Sequence, residues 1–217
     1  MRLIIGLAAV LAAATPGAGQ TMAELQDAVT AGDRARVELL IRKGVLIDEK
    51  NSAGETALLL AVKHDRTAIA EALMAAGASI NAQAKNKDTP WLLAGASGRT
   101  EIIRDMIPRG PDLSIRNRYG GNALIPACER GHVETIKLLL TTSIDVNHVN
   151  NLGWTCLLEI VILGDGGPRH VEATKLVLAA GADPNLADKD DVSPLAHARA
   201  KGQSEVATLI EKAGGRP

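Results

Sequence analysis

A period of 33 residues runs along most of this 217-residue chain, and it constrains the possible folds more than any other feature. Its clearest column consists of short polar residues: Thr56, Thr89, Asn122, Thr155 and, after a step of 38, Ser193. A small residue or proline follows each of them, and then one large apolar residue: Leu58, Trp91, Leu124, Leu157 and Leu195. Because such polar side chains can accept a hydrogen bond from a free backbone N–H, this column predicts a helix start in every repeat.

A second column predicts another helix later in each repeat. Its apolar members are Leu40, Leu73, Met106, Leu139, Val177 and Ile210, and a glycine or serine follows each of them four residues later. Glycine ends a helix in the left-handed conformation at little steric cost. Two helices of about nine residues are too short to be stable alone, so they must pack on neighbouring repeats. The sequence therefore predicts an all-α solenoid of stacked helix-turn-helix units with short β-turn tips.

The repeated unit resembles the ankyrin repeat, whose signature is a period of about 33 residues and a T-P-L-H-x-A start. The segments that carry this resemblance are ETALLLAV, DTPWLLAG, VSPLAHARA and GHVETIKLLL, and it extends from about Met22 to Gly214. The motif histidine is replaced in every copy, by Leu59, Leu92, Ile125, Leu158 and Ala196. The resemblance therefore implies an ankyrin solenoid without the hydrogen bonds of that histidine. Trp91 should lie in the core, and Pro108 should make the end of its helix irregular.

The repeat register also divides the chain. We expect a signal peptide at 1–19, an N-terminal capping helix pair at 20–50 and a C-terminal capping repeat at 188–217. Between the caps lie ankyrin repeats at 51–83, 84–116, 117–149 and 150–187, the last with a loop insertion. Thr21 and Glu24 have the spacing of a capping box, which predicts that the first helix begins at Thr21.

The first residues indicate export. Arg2 precedes an apolar run over residues 3–14, and small residues that suit signal cleavage follow at Gly17 and Gly19. A run of about 12 residues is shorter than the roughly 20 that span a bilayer, so we expect no stable membrane insertion. We therefore expect a bacterial periplasmic or secreted protein, cut after Gly19 or, as an alternative, after Ala14. A cytosolic protein with an apolar amino-terminal helix is the competing interpretation.

The chain has two cysteines, Cys128 and Cys156. In repeat register Cys128 matches Val161, which lies five residues beyond Cys156. Five residues correspond to about 7.5 Å along a helix, and neighbouring helices are separated by about 8 to 10 Å. Because a disulfide needs Cα atoms closer than about 7 Å, we expect two reduced cysteines that pack as small apolar residues.

Composition and motifs exclude several classes of function. The chain carries 24 Lys and Arg against 25 Asp and Glu, and no basic stripe indicates nucleic acid or anionic lipid. No histidine or cysteine spacing matches a metal site, and no nucleophile motif is present, so we expect neither catalysis nor a cofactor. His132 and His170 share one repeat register, which favours structural roles.

One segment breaks the period, the glycine-rich loop over residues 164–169. It is interpreted either as a tolerated insertion or as a binding loop. A hydrolase or ligand-binding protein that uses the loop from Asp165 to His170 is therefore an alternative function.

The resemblance implies a protein partner, because ankyrin proteins bind partners through their turn tips and the exposed side of their first helices. The residues at such positions that we expect to bind are Arg118, Tyr119, Glu129, Arg130, Leu152, Trp154 and Glu159. Aromatic and arginine side chains dominate interface hot spots, which singles out Tyr119 and Trp154. Trp154 has an alternative placement, folded back over the core. The expected function is that of an exported, monomeric scaffold for protein binding, and an immunity or chaperone-like partner of a periplasmic enzyme or toxin is an alternative.

Overall fold

The computed structural model describes residues 18–217, and it consists of paired helices. The first helices of the pairs are α1 (Ala18–Ala31), α3 (Ala57–Lys63), α5 (Pro90–Ala96), α7 (Leu124–Glu129), α9 (Cys156–Leu163) and α11 (Pro194–Ala200). The second helices are α2 (Arg34–Arg42), α4 (Thr67–Ala75), α6 (Thr100–Met106), α8 (Val133–Leu139), α10 (Pro168–Ala179) and α12 (Ser204–Lys212). Residues 18–217 contain no strand, and the all-α prediction is confirmed. The apolar run expected to form the signal peptide lies outside the described residues.

Each pair stacks on the next to form a two-layer solenoid. The first helices pack on one another in one layer, and the second helices do so in the other. The core lies between the layers, where the predicted apolar column is buried: Leu40, Leu73, Met106, Leu139, Val177 and Ile210. Trp91 is only 2% exposed, which confirms its predicted place in the core.

Hydroxyl side chains cap the first helices as the sequence predicts. The capped N–H groups belong to the third residue after each cap, in the pairs Thr56–Leu59, Thr89–Leu92, Thr155–Leu158 and Ser193–Ala196. The third repeat differs, because α7 begins at Leu124 and Asn122 Oδ1 accepts hydrogen bonds from the N–H groups of both Leu124 and Ile125. Each cap thus fixes the point at which the chain leaves the tip turn and enters the core.

Local sequence determines the end of α6 and the start of α1. A short 3₁₀ turn, Ile107–Arg109, follows α6 and contains Pro108, which confirms the predicted irregularity. The predicted helix start at Thr21 is wrong, because α1 is already helical from Ala18. Alanine and glutamine have high helix propensities, so Ala18 and Gln20 can continue the helix beyond the capping-box position.

The prediction of two reduced cysteines is also wrong. Cys128 and Cys156 form a disulfide with Cα atoms 5.5 Å apart, and neither residue is exposed to solvent. The equivalent contact one repeat earlier explains why Cys128 and Cys156 lie so close together. There Gly95 and Ala123 occupy the equivalent positions, and a Cβ placed on Gly95 would lie 2.7 Å from the Ala123 carbonyl oxygen. Successive first helices are therefore staggered, so the end of one meets the start of the next.

We expect the double variant Cys128→Ala, Cys156→Ala to keep the fold but to lose about 3 kcal/mol in its free energy of unfolding. The physical reason is the chain entropy of the unfolded state, which a bond across 28 residues restricts. Urea unfolding followed by circular dichroism measures the loss. A reducing agent should destabilise the unchanged protein by a similar amount and leave the variant unaffected. Equal unfolding midpoints for the oxidised protein and the variant would contradict this prediction.

Candidate functional site

Asparagine side chains shape the tips of the third and fourth repeats. In the third repeat, Asn117 Oδ1 accepts hydrogen bonds from the backbone N–H groups of Tyr119 and Gly121, both at 2.9 Å. The two tips are joined by a backbone hydrogen bond in which Asn151 donates to the Tyr119 carbonyl at 2.8 Å. This bond fixes the position of Tyr119 relative to the fourth repeat.

A cavity of about 350 Å³ opens between these two tips and the first helices α7 and α9. We call it the tip cavity, and its lining residues are Asn117, Arg118, Tyr119, Gly121, Ile125, Pro126, Glu129, Arg130, Asn150, Leu152, Glu159 and Leu163. Six of the seven residues expected to bind a partner lie here: Arg118, Tyr119, Glu129, Arg130, Leu152 and Glu159. The structure brings them together, and their role in binding stays a prediction.

Trp154, the seventh residue, lies elsewhere. Its side chain is partly buried and packs against the hydrophobic core, as in the alternative placement. The backbone of Trp154 does belong to the tip, because its carbonyl accepts a hydrogen bond from Asn150 N–H at 3.0 Å. Repeat register places the residue in the turn, but it does not determine the direction of the side chain.

Six lining residues were not among the seven: Asn117, Gly121, Ile125, Pro126, Asn150 and Leu163. Leu163 is 50% exposed and lies one helical turn beyond Glu159, so their spacing of four residues could have indicated a shared face. Asn150 is 6% exposed and reaches Glu159 across nine residues of sequence. No pattern in the sequence indicates that contact.

The rim of the tip cavity is apolar and accessible. Tyr119, Leu152 and Leu163 are 51%, 47% and 50% exposed. The Arg118 guanidinium lies over the Tyr119 ring, 4.8 Å from its centroid, and its Nη1 is 3.9 Å from Asp88 Oδ2. Stacking on a cation restricts the ring without burying it, so Tyr119 presents a preorganised surface to solvent.

The floor of the tip cavity contains a buried carboxyl group. Glu159 is 5% exposed, and its Oε1 accepts a hydrogen bond from Asn150 Nδ2 at 2.9 Å. Burial, followed by the negative charge of Glu129, raises the pKa of Glu159 to about 7, against the smaller opposing effect of the Asn150 hydrogen bond. The group therefore changes its charge close to neutral pH, unlike an ordinary surface glutamate.

Arg130 does not neutralise this carboxyl group. Its Nη1 donates to the carbonyl oxygen of Ala96, in the preceding repeat. Together with Arg118, which approaches Asp88, it gives the cavity a basic side toward the second repeat. Glu129 and Glu159 form the acidic side.

The glycine-rich loop is fixed by its neighbours. His170 is 4% exposed; its Nδ1 is 2.7 Å from Asp165 Oδ1, and its Nε2 is 2.9 Å from the Glu129 carbonyl oxygen. The Gly164 carbonyl accepts hydrogen bonds from Lys201 Nζ at 3.1 Å and from Gln203 Nε2 at 3.0 Å. The Asp165 carboxylate and N–H lie at Nδ1 and the Glu129 carbonyl lies at Nε2, so neither ring nitrogen of His170 is free to act as a base. This geometry favours a structural insertion.

His132 has a comparable place one repeat earlier. Its ring lies against Gly98, where a Cβ would come within 2.7 Å of Nδ1. Burial lowers the pKa of His132, and nearby arginines act in the same direction. Across residues 18–217, no three His, Cys, Asp or Glu side chains form a group that could hold a metal ion. The described helices also include none that is long and apolar enough to cross a membrane.

We expect Glu159→Gln to stabilise the free protein at pH 8 and to change it little at pH 5. Glu159 binds its proton more tightly in the folded state than at its ordinary pKa of 4.5, so it lowers the free energy of unfolding as pH rises from about 4.5 to about 7. Above pH 7, the free energy of unfolding of the variant should exceed that of the unchanged protein by up to about 3 kcal/mol.

Denaturant unfolding of both proteins at the two pH values tests this expectation. Glu134→Gln, at an exposed glutamate paired with Lys137, is the matched control and should shift the free energy of unfolding by no more than about 0.5 kcal/mol. A gain for Glu159→Gln that is equal at pH 5 and pH 8 would show that Glu159 is not the titrating group.

Comparisons with known proteins agree with the architecture. A family model described as ankyrin repeats in three copies matches residues 25–117 and again 91–188. Among solved structures, an ankyrin repeat domain from Acinetobacter baumannii AYE is 45% identical, with a TM-score of 0.85, over 88% of this chain and 98% of that one. The ankyrin repeat protein EF0377 is 37% identical, with a TM-score of 0.85 and the same two coverages.

A curated relative matches over a shorter stretch. The putative ankyrin repeat protein YahD of Escherichia coli (strain K12) is 45% identical over 69 residues. That match covers 32% of this chain and 34% of YahD, so the chain spans about a third of the length of that relative.

Proposed function

The chain belongs to the ankyrin repeat family, and from that premise we propose that it is an exported scaffold that binds another protein at the tip cavity and performs no catalysis. Ankyrin repeats are in general scaffolds for protein-protein interaction. Surface complementarity is then the whole mechanism. The partner gains affinity by covering apolar surface that the free protein leaves in water.

The apolar rim carries this proposal. Tyr119, Leu152 and Leu163 are each about half exposed, yet they surround a single cavity rather than being scattered over the surface. Contiguous exposed apolar surface has a binding explanation more often than isolated residues do. Tyrosine and arginine are also enriched at the centres of interfaces, and Arg118 stacks on Tyr119.

The disulfide supports the proposal of export. Disulfides form and persist in oxidising compartments, such as the bacterial periplasm, and they are rare in the cytosol. Cys128 and Cys156 are joined, and the amino-terminal sequence has the pattern of a signal peptide. Both observations support our proposal that the protein works in the periplasm or outside the cell; that it does so as a monomer is part of the same proposal.

The alternatives receive unequal support. An immunity or chaperone-like partner of a periplasmic enzyme or toxin would use the same cavity, so it is a special case of the proposal. A hydrolase built on the loop from Asp165 to His170 is disfavoured, because His170 is buried with both ring nitrogens engaged.

We expect the double variant Tyr119→Ala, Leu152→Ala to lose the binding partner. The two side chains form much of the exposed rim, and hot-spot residues each contribute about 2 kcal/mol or more, so the affinity should fall by about a hundredfold or more. Affinity capture from an extract of the source organism, with each protein immobilised in turn, measures the loss.

Leu46→Ala is the matched control for that capture. Leu46 is 62% exposed, but it lies near the amino-terminal end of the solenoid, away from the tip cavity. A partner held by the unchanged protein and by the control, and lost by the double variant, supports the proposal. A partner that all three proteins retain would place the binding site elsewhere.

We further expect the protein isolated from its native cell to begin at Gln20 and to contain no free thiol. Signal cleavage after Gly19 and an oxidising compartment are the physical reasons. Intact mass spectrometry after thiol alkylation measures both properties at once. A chain that keeps residues 1–19 and accepts two alkyl groups would contradict export.

A further inference from the structure

We propose that the tip cavity recognises one basic side chain of the bound protein, a lysine or an arginine whose cation lies between the carboxyl groups of Glu159 and Glu129. Around that side chain, apolar surface of the partner covers Tyr119, Leu152 and Leu163. This inference rests on the proposed function and adds the chemistry of the partner.

Glu159 is held in one orientation by the tip of its own repeat. Asn150 Oδ1 accepts hydrogen bonds from the backbone N–H groups of Leu152 and Trp154, at 2.9 and 3.0 Å. The amide of Asn150 must therefore point its Nδ2 toward Glu159, whose Oε1 it meets at 2.9 Å. This arrangement fixes the carboxyl group of Glu159, a residue that is only 5% exposed, at the floor of an open cavity.

That carboxyl group has few partners in the free protein. Within the described chain, Asn150 is its one hydrogen-bond donor, and no ion pair includes either Glu159 or Glu129. A buried carboxylate that accepts a single neutral hydrogen bond is costly, and a neighbouring negative charge adds to the cost. A cation between the two groups would supply the missing hydrogen bonds and remove the repulsion.

The remaining charges argue for one cation rather than several. Arg118 and Arg130 line the same cavity, although they are directed toward Asp88 and the Ala96 carbonyl. Their positive charges would repel a run of basic residues in the partner. The apolar rim likewise favours apolar neighbours on both sides of the basic side chain.

Other titratable groups near Glu159 are already engaged. His170, beside α7, faces Asp165 and the Glu129 carbonyl. On α11, which packs against α9, His197 is 2.6 Å from Asp188 Oδ2, and Lys201 donates to the carbonyl of Ile162 at 2.6 Å. His148, just before the fourth tip, has its Nε2 2.6 Å from the Gly120 carbonyl oxygen. The pH dependence of cation binding that belongs to Glu159 is therefore the part that Glu159→Gln removes.

Cation binding and proton release by Glu159 are coupled, so the affinity for the cation should depend on pH. A bound cation favours the ionised form of Glu159, so binding should release a proton near pH 7. Because the pKa of the free group is about 7, the affinity for the cation should rise by about tenfold between pH 6 and pH 8. A purely apolar contact would show no such rise.

The test uses four capped tripeptides with leucine on both sides of a central arginine, citrulline, lysine or norleucine. Citrulline has nearly the shape of arginine without its charge, and norleucine serves similarly for lysine. Binding is followed through the carboxyl ¹³C signal of Glu159 at pH 6 and pH 8. We expect saturable shifts with an arginine or lysine peptide, at least about tenfold weaker binding of its neutral counterpart, and tighter binding at pH 8.

Two variants complete the test. Glu159→Gln, followed through the side-chain carboxamide ¹³C signal at position 159, should abolish the preference for the charged peptide. Glu134→Gln, at the exposed glutamate, should keep it. Equal binding of charged and neutral peptides, or no saturable shift with any of them, would overturn the inference. So would binding of methylguanidinium alone as tight as that of the arginine peptide, because the cavity would then be a small-ligand site.

Failure of the basic-side-chain inference can be distinguished from failure of the proposed function. If the natural partner is lost with Tyr119→Ala, Leu152→Ala but kept at full affinity by Glu159→Gln, the binding site is correct and the basic side chain is wrong. If the double variant keeps the partner, the proposed function at this cavity fails whatever the peptides do.

Discussion

No helix pair in this chain can cover its own apolar face, and the rest of the structure depends on the way in which neighbours cover it. First helices stack with a stagger, so the end of one meets the start of the next. At Gly95 and Ala123 this contact leaves no room for a Cβ, and one repeat later Cys128 and Cys156 convert the same contact into a covalent bond. In the same stack the third and fourth tips are joined by a backbone hydrogen bond, and the tip cavity opens between them and the first helices.

The tip cavity combines features that a purely structural cluster has no reason to contain. Folding alone would be better served by a neutral residue at position 159, since burial and Glu129 both oppose ionisation there. The tip nevertheless uses Asn150 to hold this carboxyl group in place. Groups with strongly perturbed pKa values in a cleft are candidates for function, and exposed apolar residues around this one strengthen the argument.

Structural features that depend on periodicity could be predicted from the sequence. Features that depend on side-chain direction or on the stagger of the helices could not. Register placed Trp91 in the core and grouped six of the seven expected binding residues on one surface. The same register put Trp154 at a tip, but it could not say that the ring packs on the core. Periodicity gives no sign of the disulfide, because it does not reveal that the end of α7 meets the start of α9. The contact of Asn150 with Glu159 has no periodic signal at all.

The inserted loop changes how the stack can come apart. In a solenoid whose repeats touch only their neighbours, stability is nearly a sum of local terms, and unfolding can spread from either end. Here one short segment is fastened in both directions, through His170 to the third repeat and through Gly164 to Lys201 and Gln203 of the last. Together with the disulfide, these hydrogen bonds join the third, fourth and last repeats into one unit that unfolds cooperatively. The amino-terminal pairs can then fray while the face that carries the tip cavity stays intact.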